Sequence, residues 1–102
     1  MRTFVVDIDG TICTDSRGKY ELARPMKTRI EYFNGLFDSG NTIIYWTARG
    51  ANSGKDWSDF TKKQLEGWGV KYTELKTDKP AYDFWIDDKA YNGNRFFDEL
   101  YF

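Results

Sequence analysis

Three short β-rich runs each break off on polar residues, and this pattern constrains the fold more than any other feature of the chain. Thr3–Val6 stops at Asp7, with Asp9 two residues on. Thr42-Ile43-Ile44-Tyr45-Trp46 stops at Thr47, and Tyr82–Ile86 stops at Asp87-Asp88. Apolar runs of this kind read as buried strands. Between the first two, Met26, Ile30, Phe33 and Phe37 recur at helical spacing. Pro25 suits the first helical position there and Gly40 the stop. Asp56 or Ser58 can cap a second helix running to Glu66, with Phe60 and Leu65 inward, and Gly67 and Gly69 bracket Trp68 at its end. Val70–Leu75 reads as a third strand, which makes Tyr82–Ile86 the fourth. Asn92–Phe102 reads as a terminal helix. Strands alternating with helices imply a mostly parallel sheet covered on both faces. Ligands of such sheets sit at the carboxyl ends of the strands. Asp7, Asp9, Thr47, Asp87 and Asp88 are therefore expected along one rim.

What the chain lacks narrows its chemistry. It has no histidine and one cysteine, Cys13. Serine–histidine and cysteine–histidine catalysis are excluded, as are imidazole metal sites. Carboxylates, lysines, arginines and hydroxyls remain, and they suit hard, oxygen-liganded ions such as magnesium. A lone cysteine permits no intrachain disulfide, and no run approaches the ~20 apolar residues of a membrane span. A cytoplasmic protein with no membrane partner is expected. The 102 residues suffice for one domain, 1–102, and the 19 % aromatic content supports a packed core. A net charge of -1 disfavours nucleic acid as a partner, although Arg17, Lys19, Arg24 and Lys27 can make a local basic face. The four tryptophans are expected to pack in the core rather than stack on bases or sugars. Gly50–Asp56 is one residue short of a phosphate-binding P-loop and has Asp56 where a hydroxyl is required.

Asp7-Ile8-Asp9-Gly10-Thr11 is the most informative stretch. Residues i and i+2 of an extended segment point the same way, so two carboxylates share one side. They repel unless a cation or a proton lies between them. Asp7 is a suitable nucleophile because a carboxylate is ionised at neutral pH and needs no activating base. Asp9 can protonate the leaving oxygen and later take a proton from water. Gly10 allows a sharp exit, and Thr11 can hydrogen-bond locally. Thr47-Ala48-Arg49-Gly50 offers a hydroxyl and backbone N–H groups for phosphoryl oxygens. Lys79, with Lys76 as competitor, can neutralise nucleophile and phosphate together. The Asp87-Asp88 pair needs a positive partner, a metal or a lysine such as Lys79 or Lys89.

The order and spacing of these four motifs resemble the haloacid dehalogenase superfamily of phosphohydrolases. Asp7–Thr11 looks like its first motif, Thr47 its second, Lys79 its third and Asp87-Asp88 its fourth. The resemblance implies a three-layer, Rossmann-like sheet of about four strands in the order 4-1-2-3. It implies an aspartyl-phosphate intermediate on Asp7, with Asp9 as acid–base. It also implies Mg2+ held by the Asp7 carboxylate, the Asp9 carbonyl and an acid of the fourth motif, Asp88 favoured over Asp87. Gly10, Thr11, Ala48 and Arg49 would line the phosphate. Trp46–Gly50, Lys79-Pro80 and Ile86–Ala90 are similar to a small branch without a cap, associated with capsule and polysaccharide biosynthesis. No cap domain fits between the motifs, so the site is expected to be open, suited to a small phosphate ester such as a sugar phosphate and compatible with a homo-oligomer that covers it. Two alternatives remain: a phosphatase of nucleotides or polynucleotide ends, and a non-catalytic module that binds a phosphorylated ligand.

Overall fold

Ile43 and Tyr45 are both fully buried, while Thr42, Ile44 and Trp46 between and around them are half-buried. That alternation belongs to a central strand with two unequally covered faces. This strand, β2 (Thr42–Trp46), carries β1 (Thr3–Val6) on one side and β3 (Glu74–Lys76) on the other, both parallel to it. The structure, a computed structural model, describes residues 1–100. Tyr101 and Phe102, expected at the end of the last helix, lie outside the described residues. Helices α1 (Lys27–Asp38), α2 (Ser58–Gly67) and α3 (Gly93–Leu100) follow β1, β2 and β3. The result is an α/β fold with a three-stranded parallel sheet in the order β1-β2-β3. No helix among the described residues is long and apolar enough to cross a membrane.

The core joins the sheet to α1 and α3. Ile30 and Phe33 of α1 are buried, and Phe33 meets Tyr45 edge-on at 6.4 Å and Phe97 of α3 at 5.6 Å. Edge-to-face rings of this kind add specificity to the apolar burial. Arg29 ties three parts together. It donates to the Thr11 carbonyl at 3.1 Å and the Asn94 side chain at 3.0 Å, and its guanidinium lies 4.6 Å from the Phe97 ring centre.

Several boundaries differ from the sequence expectation for local reasons. Helix α1 starts at Lys27 rather than Pro25, because Pro25 forms an antiparallel bridge with Cys13 and the Met26 N–H donates to Ile12. Strand β3 starts at Glu74 rather than Val70. The Val70 N–H is taken by Leu65 at the end of α2 and the Lys71 N–H by the Asn34 side chain, so neither joins the sheet. Asp56 backs the start of α2 by accepting from the Ser58 N–H, while Trp57 occupies the cap position. Asn92 accepts from the N–H groups of Asn94 and Arg95 and starts α3 one residue later than expected.

The largest correction concerns the fourth strand. Tyr82–Ile86 is not a strand, the order is not 4-1-2-3, and β1 is an edge. Every residue from 81 to 90 is exposed, Phe84 by 86 % and Ile86 by 95 %. Aromatic contacts hold the segment elsewhere. Trp85 packs edge-on against Trp46 at 5.7 Å and against Tyr82 at 5.0 Å, which draws the segment to the end of β2. Of the tryptophans expected in the core, only Trp68 packs against it, half-buried; Trp46 and Trp57 are half-buried elsewhere and Trp85 is exposed.

Candidate active site

The parallel register brings the exits of the three strands to one rim. Val6 pairs with Tyr45, and Trp46 pairs with Lys76. Asp7 therefore leaves β1 where Thr47 leaves β2, and the chain after β3 reaches Lys79. At the β1 exit the Thr11 and Ile12 N–H groups both donate to the Ile8 carbonyl, and the Gly10 N–H donates to Cys13. Gly10 holds φ at +81°, which a side chain would resist. This tight turn fixes Ile8 and Ile12 in the core while Asp7 and Asp9 face the rim.

Asp7 sits between two donors. Lys79 Nζ lies 3.4 Å from Oδ1, and Thr11 Oγ1 donates to Oδ2 at 3.3 Å. Burial pushes the Asp7 carboxyl above its usual range. The Lys79 charge and the backbone hydrogen bond at Ile8 pull the other way without cancelling it. The Lys79 side chain is only 11 % exposed and lies 5.2 Å from the Tyr82 ring centre and 5.5 Å from that of Trp85. Lys76 lies over Trp46 instead, at 4.7 Å, so Lys79 is the lysine beside Asp7.

Asp9 is held differently. Arg49 Nε donates to its Oδ2 and the terminal NH2 group to its Oδ1, both at 2.9 Å. The remaining arm of the guanidinium donates to Thr61 at 3.2 Å and Gln64 at 2.7 Å, and Tyr20 covers the plane at 4.5 Å. Arg49 is buried and all three of its side-chain nitrogens are engaged with Asp9, Thr61 and Gln64, whereas the sequence suggested that it lines a phosphate. Thr61, Gln64 and Tyr20 carried no sequence signal of their own except that Thr61 and Gln64 are three residues apart on one helix, a spacing that shares a face.

Thr47 is buried, and its hydroxyl oxygen accepts from the Arg49 N–H at 3.1 Å while its carbonyl accepts from the Lys79 N–H at 3.3 Å. The hydroxyl still carries a proton to donate. Ala48 is half-buried in the same loop, its carbonyl accepting from Ala51. At Gly50, φ is +86° and a Cβ would collide with the Lys55 carbonyl. Cys13 is fully buried, and burial with the neighbouring Asp9 charge pushes its thiol up to about 12.

Asp87 and Asp88 do not join this group. Both are exposed, and Asp87 accepts from the Lys89 N–H at 2.8 Å, a hydrogen bond that holds its carboxyl below the usual range. Among the described residues no three acids or cysteines stand close enough to hold a metal ion. As folded here, the donor set does not fit the carboxylate-held magnesium that the sequence led us to expect. The preformed part of the rim comprises Asp7, Asp9, Thr11, Thr47 and Lys79. A cavity of about 350 Å³, lined by Lys55, Trp57, Ser58, Thr77, Asp78 and Lys79 among others, opens beside it.

No family model matches the chain, and no curated protein matches it. The structure is similar to the crystal structure of a structural-genomics target from Vibrio cholerae, with 25 % sequence identity and a TM-score of 0.83 over 94 % of this chain and 87 % of that one.

Proposed function

We propose that the chain is a phosphomonoester hydrolase of the haloacid dehalogenase type, working through an aspartyl phosphate on Asp7. One observation carries the reading: Asp7 stands at a strand exit with Lys79 and Thr11 on its two oxygens and a second, fixed carboxylate two residues away. In the first step an Asp7 oxygen attacks phosphorus as the ester P–O bond breaks, and the departing alkoxide takes a proton from Asp9. In the second, water attacks the phosphoryl group and gives a proton to Asp9. The bond from phosphorus to Asp7 breaks, releasing inorganic phosphate and restoring both acids. In this reading Lys79 offsets the repulsion between Asp7 and the incoming phosphate, and the Thr47 hydroxyl donates to a phosphoryl oxygen. The adjoining cavity gives a leaving group the size of a sugar room beside Lys79.

The finer fold belongs to the same proposal. Val5 on the free edge of β1 is 59 % exposed, and Phe84 and Ile86 are exposed two residues apart, the spacing of one strand face. An open edge and an unburied apolar segment are each unfavourable alone. Pairing of Tyr82–Ile86 with β1 would cover both, give the order 4-1-2-3 and move Asp87 and Asp88 toward Asp7. Magnesium dependence enters only with that closure.

The test is phosphate release from an aryl phosphate in magnesium buffer. Asp7→Asn is expected to lose about 10⁴-fold or more, the scale for loss of a reacting group. Equal rates in both proteins would overturn the reading, and tight phosphate-ester binding without turnover would favour a binding module instead.

A further inference from the structure

We infer that Arg49 is a positioning residue that aims the Asp9 carboxylate at the leaving oxygen. The inference rests on the acid–base role proposed for Asp9. A carboxylate on a short side chain at a strand exit rotates freely unless both oxygens are restrained. Here a planar fork fixes both at 2.9 Å, and the geometry of two parallel N–H···O bonds sets the plane of the carboxylate as well as its place.

The fork is itself fixed. Thr61 and Gln64 of α2 hold its far arm, Tyr20 lies over its plane, and Gln64 donates to the Tyr20 carbonyl at 2.8 Å. Three segments distant in sequence thus converge on the Arg49 guanidinium, which is 1 % exposed, while Asp9 keeps 20 % of its side chain open to the rim. A carboxylate offers about four lone-pair positions. The fork takes one on each oxygen and the Cys13 thiol, at 3.6 Å, a second on Oδ1, which leaves Oδ2 a position for a proton facing the substrate. Four of the five guanidinium N–H groups are taken and the side chain is 1 % exposed, so Arg49 is not open to a phosphate. Its effect must therefore pass through Asp9.

A positioning role and a merely structural one differ in how activity depends on the leaving group. A proton donor matters for a basic alkoxide or phenoxide and hardly at all for one that departs as a stable anion. The experiment compares kcat/KM, which reports steps up to departure of the leaving group, for phenyl phosphate and dinitrophenyl phosphate. The full-length proteins are wild type, Asp9→Asn, Arg49→Lys and Gln64→Met. Lysine keeps the charge and cannot form the fork. For Arg49→Lys we expect kcat/KM on phenyl phosphate to fall by about 10² or more, within the range for general acid–base catalysis. On dinitrophenyl phosphate the fall is expected to be less than tenfold. Asp9→Asn should show the same selective loss, and Gln64→Met a smaller one. If Arg49→Lys proves unfolded by circular dichroism, Gln64→Met decides alone.

An equal loss on both substrates in the folded Arg49 variant, or none, would overturn the positioning role while a selective loss in Asp9→Asn left the Asp9 assignment standing. Absence of the selective loss in Asp9→Asn would overturn the acid–base reading from which the inference starts.

Discussion

Asp7 carries a conflict between stability and chemistry. Its carboxyl is pushed up by burial, so the folded state holds the Asp7 proton more tightly than the unfolded chain does. The stabilising contribution of the protonated form is complete below the unfolded value near 3.8 and is lost as pH rises through the folded one. At neutral pH the ionised side chain is therefore a net burden, moderated because it remains 39 % exposed. Asp7→Asn is expected to raise the melting temperature at pH ~7 and to lose that advantage near pH ~3, measured by thermal denaturation at both pH values. A lower melting temperature at neutral pH would mean that the Lys79 pair outweighs the burial. If Asp7 is the nucleophile proposed above, the same shift predicts an acid limb of kcat/KM above the ordinary aspartate value, because Asp7 has to be ionised to attack. At this scale much of the site was legible. Asp7, Asp9 and Thr47 stand at the exits of recognisable runs, while Lys79 was one of two candidate lysines. The contacts of Arg49 were not legible, because its partners Tyr20, Thr61 and Gln64 come from segments that only the tertiary fold brings together.

Among the elements, β1, β2 and the apolar face of α1 follow directly from β-branched runs and helical spacing. Strand β3 is shorter than its apolar run because Asn34 and the end of α2 take its first two N–H groups. The Tyr82–Ile86 run has strand composition without strand partners, since Trp85 finds Trp46 and Tyr82, and composition alone does not say which contact wins. If closure on β1 creates the metal site, hydrogen exchange at the amides of Phe84–Ile86 should be fast without divalent cations and slow at least ~10-fold in excess magnesium, the ratio equivalent to about 1.4 kcal/mol. Unchanged exchange on magnesium addition would argue against closure. Leu65 provides an independent check on α2, which carries Thr61 and Gln64. It is fully buried, and Leu65→Ala is expected to cost about 2–5 kcal/mol in denaturant unfolding. A cost under about 1 kcal/mol would show that α2 is poorly anchored.

For the whole molecule, the parallel sheet aligns its strand exits while the helices and connecting loops supply the groups that restrain them. Cys13 reports on the integrity of this arrangement, being buried between the first turn and Asp9 with its thiol pushed up to about 12. It should resist alkylation by iodoacetamide at neutral pH until the protein unfolds, so fast labelling of the native protein would show that the turn opens. The most direct measurement is acid-quench mass spectrometry of the protein mixed with an aryl phosphate in magnesium buffer. We predict a phosphoryl adduct on the peptide containing Asp7, located on Asp7 itself by fragmentation and absent from Asp7→Asn. Turnover that proceeds without any such adduct, or an adduct on another residue, would contradict the proposed chemistry.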